Sequence, residues 1–169
     1  KAQGLGEIPH KAILHRTLIS NGPRGPIQGG ESAVTDMILA KDGWVYGSTK
    51  ATWGAENCHI FRTDSGRIEH VLNLTSRISG QTIISGLEHG RGGLIFGATS
   101  TYNEVFDDKS KDYDGGHIFS FDPATRMIVD FGVIARRQGI NCIVVDSVRR
   151  KIYGVTYPAG HLFSFDIET

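Results

Sequence analysis

The sequence predicts an all-β fold, a β-propeller of three consecutive four-stranded blades. Three observations carry that prediction: a glycine-centred segment that recurs three times, an aromatic segment that follows each copy, and a composition of 22 glycines and many β-branched residues without long Ala/Leu/Glu/Lys runs. Gly43-Trp44-Val45-Tyr46-Gly47-Ser48-Thr49 matches Gly93-Leu94-Ile95-Phe96-Gly97-Ala98-Thr99, and both match Lys151-Ile152-Tyr153-Gly154-Val155-Thr156. The marker glycines Gly47, Gly97 and Gly154 lie 50 and 57 residues apart. Four short strands in a unit of that size is the pattern of a propeller blade.

The elements follow in order. Ala12-Ile13-Leu14-His15-Arg16-Thr17-Leu18-Ile19 reads as an outermost strand, type d, because it matches Ile68 to Leu74 in pattern and also precedes a glycine-containing loop. Blade one is expected over 33–74. It comprises an apolar run from Val34 to Ala40 (strand a, innermost), the marker segment 43–49 (strand b), His59-Ile60-Phe61-Arg62-Thr63-Asp64 (strand c) and, after the turn Ser65-Gly66, the alternating Ile68-Glu69-His70-Val71-Leu72 (strand d). Blade two, 82–133, repeats the series with Thr82 to Leu87, 93–99, His117-Ile118-Phe119-Ser120-Phe121-Asp122 and Met127 to Phe131. Blade three, 140–167, has Ile140 to Val145, 151–156 and His161-Leu162-Phe163-Ser164-Phe165-Asp166, with no strand d after it. The continuous apolar character of the a strands predicts burial on both faces; alternation in the later strands predicts one-sided burial.

The order is therefore d–abcd–abcd–abc. Propellers carry about four to eight blades, so three leave strand edges and apolar faces open. The expectation is a six-bladed homodimer in which residues 12–19 of one protomer complete the last blade of its partner. The alternative is half of a longer chain.

The length of 169 residues suits a single half-propeller domain over 1–169. Eighteen Lys+Arg balance 18 Asp+Glu, so no global field points to nucleic acid or an anionic membrane surface. The longest apolar stretch, Ile140-Asn141-Cys142-Ile143-Val144-Val145, is too short to span a bilayer, and the chain opens at Lys1 without a signal-like segment. A soluble protein is expected, its compartment open. Cys58 and Cys142 form neither a disulfide framework nor a metal spacing. Asn73-Leu74-Thr75 is a glycosylation sequon that matters only in a secreted chain.

In a propeller the d–a and b–c loops share one face around the channel, and loops carry function more often than blade interiors. His59, His117 and His161 stand at equivalent b–c junctions, where three imidazoles could ring a divalent metal in the channel or supply an acid and a base. The same repetition fits one structural job done three times. Arg24, Arg77 and Arg136 stand one in each d–a loop, and guanidinium forks converging on one mouth would suit an anionic ligand. Solvated loop arginines read the same way. Tyr102 and Tyr157, with Trp53 and Phe106, lie in the b–c loops, where they would stack on sugar rings or pack between blades. Asp108, Ser110, Asp112 and Asp114 alternate like a calcium loop, but Tyr113 stands where the turn glycine belongs and no bidentate Glu follows. Gly25-Pro26-Ile27-Gln28-Gly29-Gly30 joins no strand to a helix, which removes a phosphate-loop reading.

The units Tyr46-Gly47-Ser48-Thr49…His59-Ile60-Phe61 and Tyr153-Gly154-Val155-Thr156-Tyr157-Pro158-Ala159-Gly160-His161-Leu162-Phe163-Ser164-Phe165-Asp166 resemble blades of bacterial kelch-type and quinoprotein-type β-propellers. The resemblance covers nearly all of the chain after Ile13 and concerns blade architecture. Similar blades occur in propeller polysaccharide lyases, where His, Tyr and Arg on the channel face handle uronate sugars. They also occur in propellers that only bind ligands or partners. The tryptophan docking motifs of quinoproteins are absent, which argues against a quinone cofactor. Two functions stay open: a ligand- or glycan-binding module, and an enzyme acting on an anionic saccharide with His as base and Arg neutralising a carboxylate.

Overall fold

In a computed structural model of the chain, the described residues are 27, 31–52, 55–64, 67–101 and 112–167. The closing strand expected at 12–19 lies outside them, as do Arg24 and Tyr102.

The fold is all-β. Eleven strands follow in chain order: β1 (Glu31–Leu39), β2 (Val45–Ala51), β3 (His59–Thr63), β4 (Ile68–Asn73), β5 (Ile83–His89), β6 (Ile95–Ser100), β7 (Gly115–Phe121), β8 (Ile128–Arg136), β9 (Gly139–Asp146), β10 (Lys151–Tyr157) and β11 (Leu162–Asp166). The only helical element among the described residues with more than one residue is the 3-10 turn Arg91–Gly93. No helix there is long and apolar enough to cross a membrane. The strands sit close to their expected limits, except that β8 runs on to Arg136. Gly132 suggests a strand end, yet its φ of +85° is taken up within β8 while register shifts around His117 let Gly115 pair with Arg136.

Each strand pairs antiparallel with its chain neighbour, giving three meanders: β1–β4, β5–β8 and β9–β11. The first two join in one sheet through a single pairing, Lys50 with Ile83, and the third forms its own three-stranded sheet. The main sheet is a curled, open half-barrel, compatible with a propeller-like fold.

The recurring glycine has a packing cause. Gly47, Gly97 and Gly154 pair with Phe61, Phe119 and Phe163 on the neighbouring strand. In all three meanders that phenylalanine ring lies across the glycine, in the space a Cβ would fill. Glycine weakens a strand by itself; a cross-strand aromatic covering it offsets the loss.

Burial does not follow the expected order. β6 is buried at every position and β7 nearly so, whereas the a strand β1 exposes Val34, Met37 and Leu39, and the a strand β9 exposes Val144. The reason is position among meanders. β6 and β7 lie between the first and third meanders, while β1 and β9 belong to the terminal ones. One core cluster joins Ile38, Tyr46 and Ile60 to Ile84, Leu87, Ile95, Phe119 and Phe121. A second joins Phe96, Ala98 and Ile118 to Ile140, Ile143 and Ile152.

Candidate functional site

The b–c junctions are built alike. Thr49, Thr99 and Thr156 lie near the ends of β2, β6 and β10, and their Oγ1 atoms accept the backbone N–H of His59 (2.8 Å), His117 (2.8 Å) and His161 (3.0 Å). The repeated threonine therefore anchors the point where the chain re-enters the sheet. The histidine side chains are then free to differ, and they do.

His59 is buried. Its Nδ1 lies 3.0 Å from Nε2 of His70 on β4, and its Nε2 lies 3.4 Å from Oε1 of Glu31, both side chains being 3 % exposed. Burial, reinforced by the charge of His70, lowers the His59 pKa to about 4. Burial raises Glu31 to about 7 against a smaller opposing influence of the Thr49 hydroxyl. The neighbouring Cys58 thiol is pushed up to about 12, chiefly by burial.

His117 has an equivalent arrangement with a different partner. Asp130 on β8 stands opposite Phe119 as His70 stands opposite Phe61, and its Oδ1 lies 2.9 Å from His117 Nδ1. A carboxylate only accepts, so His117 Nδ1–H donates to Asp130. His117 lines a cleft of about 460 Å³, within the range of small-molecule sites, together with Glu56, Asp112, Asp114, Thr75, Thr82 and Thr101 among others. Its wall is ordered from below: buried Gln81 donates through Nε2 to the Gly115 carbonyl (3.1 Å) and accepts at Oε1 from the Tyr113 hydroxyl (3.1 Å). Tyr113, at the glycine position of the calcium-loop pattern, is thus a buried packing residue. Among the described residues no group of three or more His, Cys, Asp or Glu is placed to hold a metal ion.

His161 is exposed and takes part in its junction through its own backbone: its N–H donates to Thr156 Oγ1, and its carbonyl accepts from Thr156 N–H. No contact joins any two of the three histidines among the described residues. Arg77 is exposed and lines a separate groove with Ile78, Arg126 and Asp130; Arg136 is exposed at the end of β8. Neither lines the His117 cleft. Tyr157 lines a third groove of about 290 Å³ between the a strands, with Thr35, Lys50, Ser85, Ser100 and Asn141.

Sequence reasoning missed Glu31, His70, Asp130 and Gln81. His70 and Asp130 could have been found by aligning the d strands opposite the repeated phenylalanines. Glu31 stands just before an apolar run, and nothing local marks it as buried. No protein-family model matches this chain, and no curated protein matches it, so its functional reading rests on geometry.

Proposed function

We propose that the three meanders are blades of a β-propeller and that the module binds a hydroxyl-rich uncharged ligand, a neutral glycan, in the cleft around His117. The observation that carries this reading is the lining: three carboxylates (Glu56, Asp112, Asp114), several hydroxyls and an imidazole whose Nδ1 is held by Asp130. Sugar hydroxyls donate to carboxylates in short charge-assisted hydrogen bonds. A uronate would instead meet three like charges, with neither Arg77 nor Arg136 lining the cleft. The glycan reading is therefore favoured over the anionic-saccharide one. Propeller geometry is supported by the threefold meander, the repeated Gly–Phe cover and the open curl of the main sheet.

Titration calorimetry with neutral oligosaccharides and with oligouronates tests it. Binding of a neutral glycan, weakened by Asp114→Asn and by His117→Gln, is expected. No binding of any neutral glycan, or a preference for uronates, would reject the assignment. One observation favours a second reading, catalysis: a carboxylate-oriented imidazole is what a general base requires. Asp130→Asn that retains glycan binding but loses sugar turnover would establish it.

A further inference from the structure

We propose that the open face of the first meander seats the third meander of a second copy of this chain, so that two copies close one ring. Equivalent register positions, away from the ligand cleft, are buried in two meanders and open in the remaining one. Met37, Leu87 and Ile143 each pair with a marker glycine; Val34, Ile84 and Ile140 each pair with the anchoring threonine. In the second and third meanders these positions are 0–8 % exposed: Ile84 0 %, Leu87 4 %, Ile140 0 % and Ile143 8 %. In the first, Val34 is 37 % and Met37 52 % exposed.

The opposite face gives the reciprocal result. Ile60, Ile118 and Leu162 occupy one position, paired with Ser48, Ala98 and Val155. Ile60 (1 %) and Ile118 (0 %) are buried, and Leu162 is 77 % exposed. The two core clusters show what does the burying: Ile60 packs toward Ile84 and Leu87, and Ile118 toward Ile140 and Ile143. Leu162 therefore stands where each meander reaches its successor, and Met37 where each receives its predecessor.

The first and third meanders carry the two halves of a contact that is made twice between successive meanders. Water-exposed apolar side chains at both halves are unfavourable, and a second copy offers each the complementary face. The contact is head-to-tail, and such contacts give rings or open filaments depending on the rotation between copies. Two copies of three meanders make six, within the roughly four to eight blades of a closed propeller. The strand exchange expected for 12–19 concerns residues outside the described ones.

Sedimentation velocity over roughly 1–100 µM tests the proposal. Twice the chain mass of 18.4 kDa is expected. Met37→Asp and Leu162→Asp should each weaken association about 30-fold or more while the strand-rich circular dichroism stays unchanged. Val148→Asp, at a 91 % exposed position in the β9–β10 turn, should leave the dimer intact. The milder Met37→Gln and Leu162→Gln should act in the same direction if either Asp variant unfolds. Mixing the two Asp variants should recover part of the dimer, because one of its two contacts is then unaltered. A monomeric wild type, a ladder of larger species, or a dimer indifferent to both substitutions would each overturn the proposal.

Discussion

Glu31 and His59 face each other at 3.4 Å in the interior of the first meander, and neither the carboxylate oxygens nor the imidazole Nε2 has a hydrogen-bond partner. Both are held toward their neutral forms: Glu31 is raised from 4.5 to about 7, His59 lowered from 6.5 to about 4. A neutral Glu31 presents an O–H toward His59 Nε2, and His59 then carries its proton on Nδ1, facing His70.

The pair predicts a compensated pH profile. The Glu31 contribution to stability is fully present below pH 4.5 and is lost as pH rises to about 7. The His59 contribution is fully present above pH 6.5 and is lost as pH falls to about 4. Between 4.5 and 6.5 the two slopes oppose. Relative to wild type, Glu31→Gln should therefore lose stability as pH falls through that window, and His59→Gln as pH rises, each at up to about 1.4 kcal/mol per pH unit. Urea unfolding at several pH values measures this. Parallel profiles for wild type and both variants would show that the two groups are not shifted.

The marker glycines predict a contrast between two buried glycines of neighbouring strands. A Cβ at Gly97 overlaps the ring of Phe119, which is fully buried and has nowhere to turn. Gly97→Ala should cost about 1–3 kcal/mol or more. A Cβ at Gly86 would meet only ordinary contacts, 3.7 Å from Ile143 Cγ1 and 3.8 Å from its backbone nitrogen, and Gly86 does not have a positive φ. Gly86→Ala should be neutral or stabilise by about 0.4–1 kcal/mol through the unfolded chain. Equal losses at both positions would show that backbone freedom, and not the ring, accounts for the repeat.

These cases explain what could be read from the sequence. The strands were legible because Gly47, Gly97 and Gly154, with their phenylalanines and threonines, do the same job three times, and a repeated job leaves a repeated residue. The side-chain partners were not legible because they differ between copies: His59 meets His70 and Glu31, whereas His117 meets Asp130. The histidine repeat was visible, but its threefold backbone anchor gave no sign that the three imidazoles would enter three environments. Burial of the a strands departs from their apolar pattern for a related reason. Apolar runs record what a strand is built to bury, and whether it does so depends on a neighbouring meander.

The two cysteines should differ sharply toward thiol reagents. Cys58 is fully buried, its Sγ 3.5 Å from the Gln81 carbonyl, and its thiol is pushed up to about 12. Cys142 is exposed on β9. An aromatic disulfide reagent at pH 8 should titrate one thiol rapidly in the folded protein and a second only on unfolding. Two fast thiols would mean that the first meander opens readily around Cys58.

Met37 and Leu87 provide the last test, because they hold one register position under two conditions. Both pair with a marker glycine and both are long aliphatic side chains, yet Leu87 is 4 % exposed and Met37 52 %. Leu87→Ala empties a packed site between two meanders and should cost about 2–5 kcal/mol. Met37→Ala removes a side chain already in water, so in dilute protein it should change stability by no more than about 0.5 kcal/mol. If a second copy covers Met37, the two substitutions converge as concentration rises: the melting temperature of wild type climbs with concentration, and that of Met37→Ala climbs less. Denaturation curves at about 1 and 100 µM separate these effects. A Met37→Ala penalty that matches that of Leu87→Ala already in dilute protein would mean that Met37 is covered within a single chain.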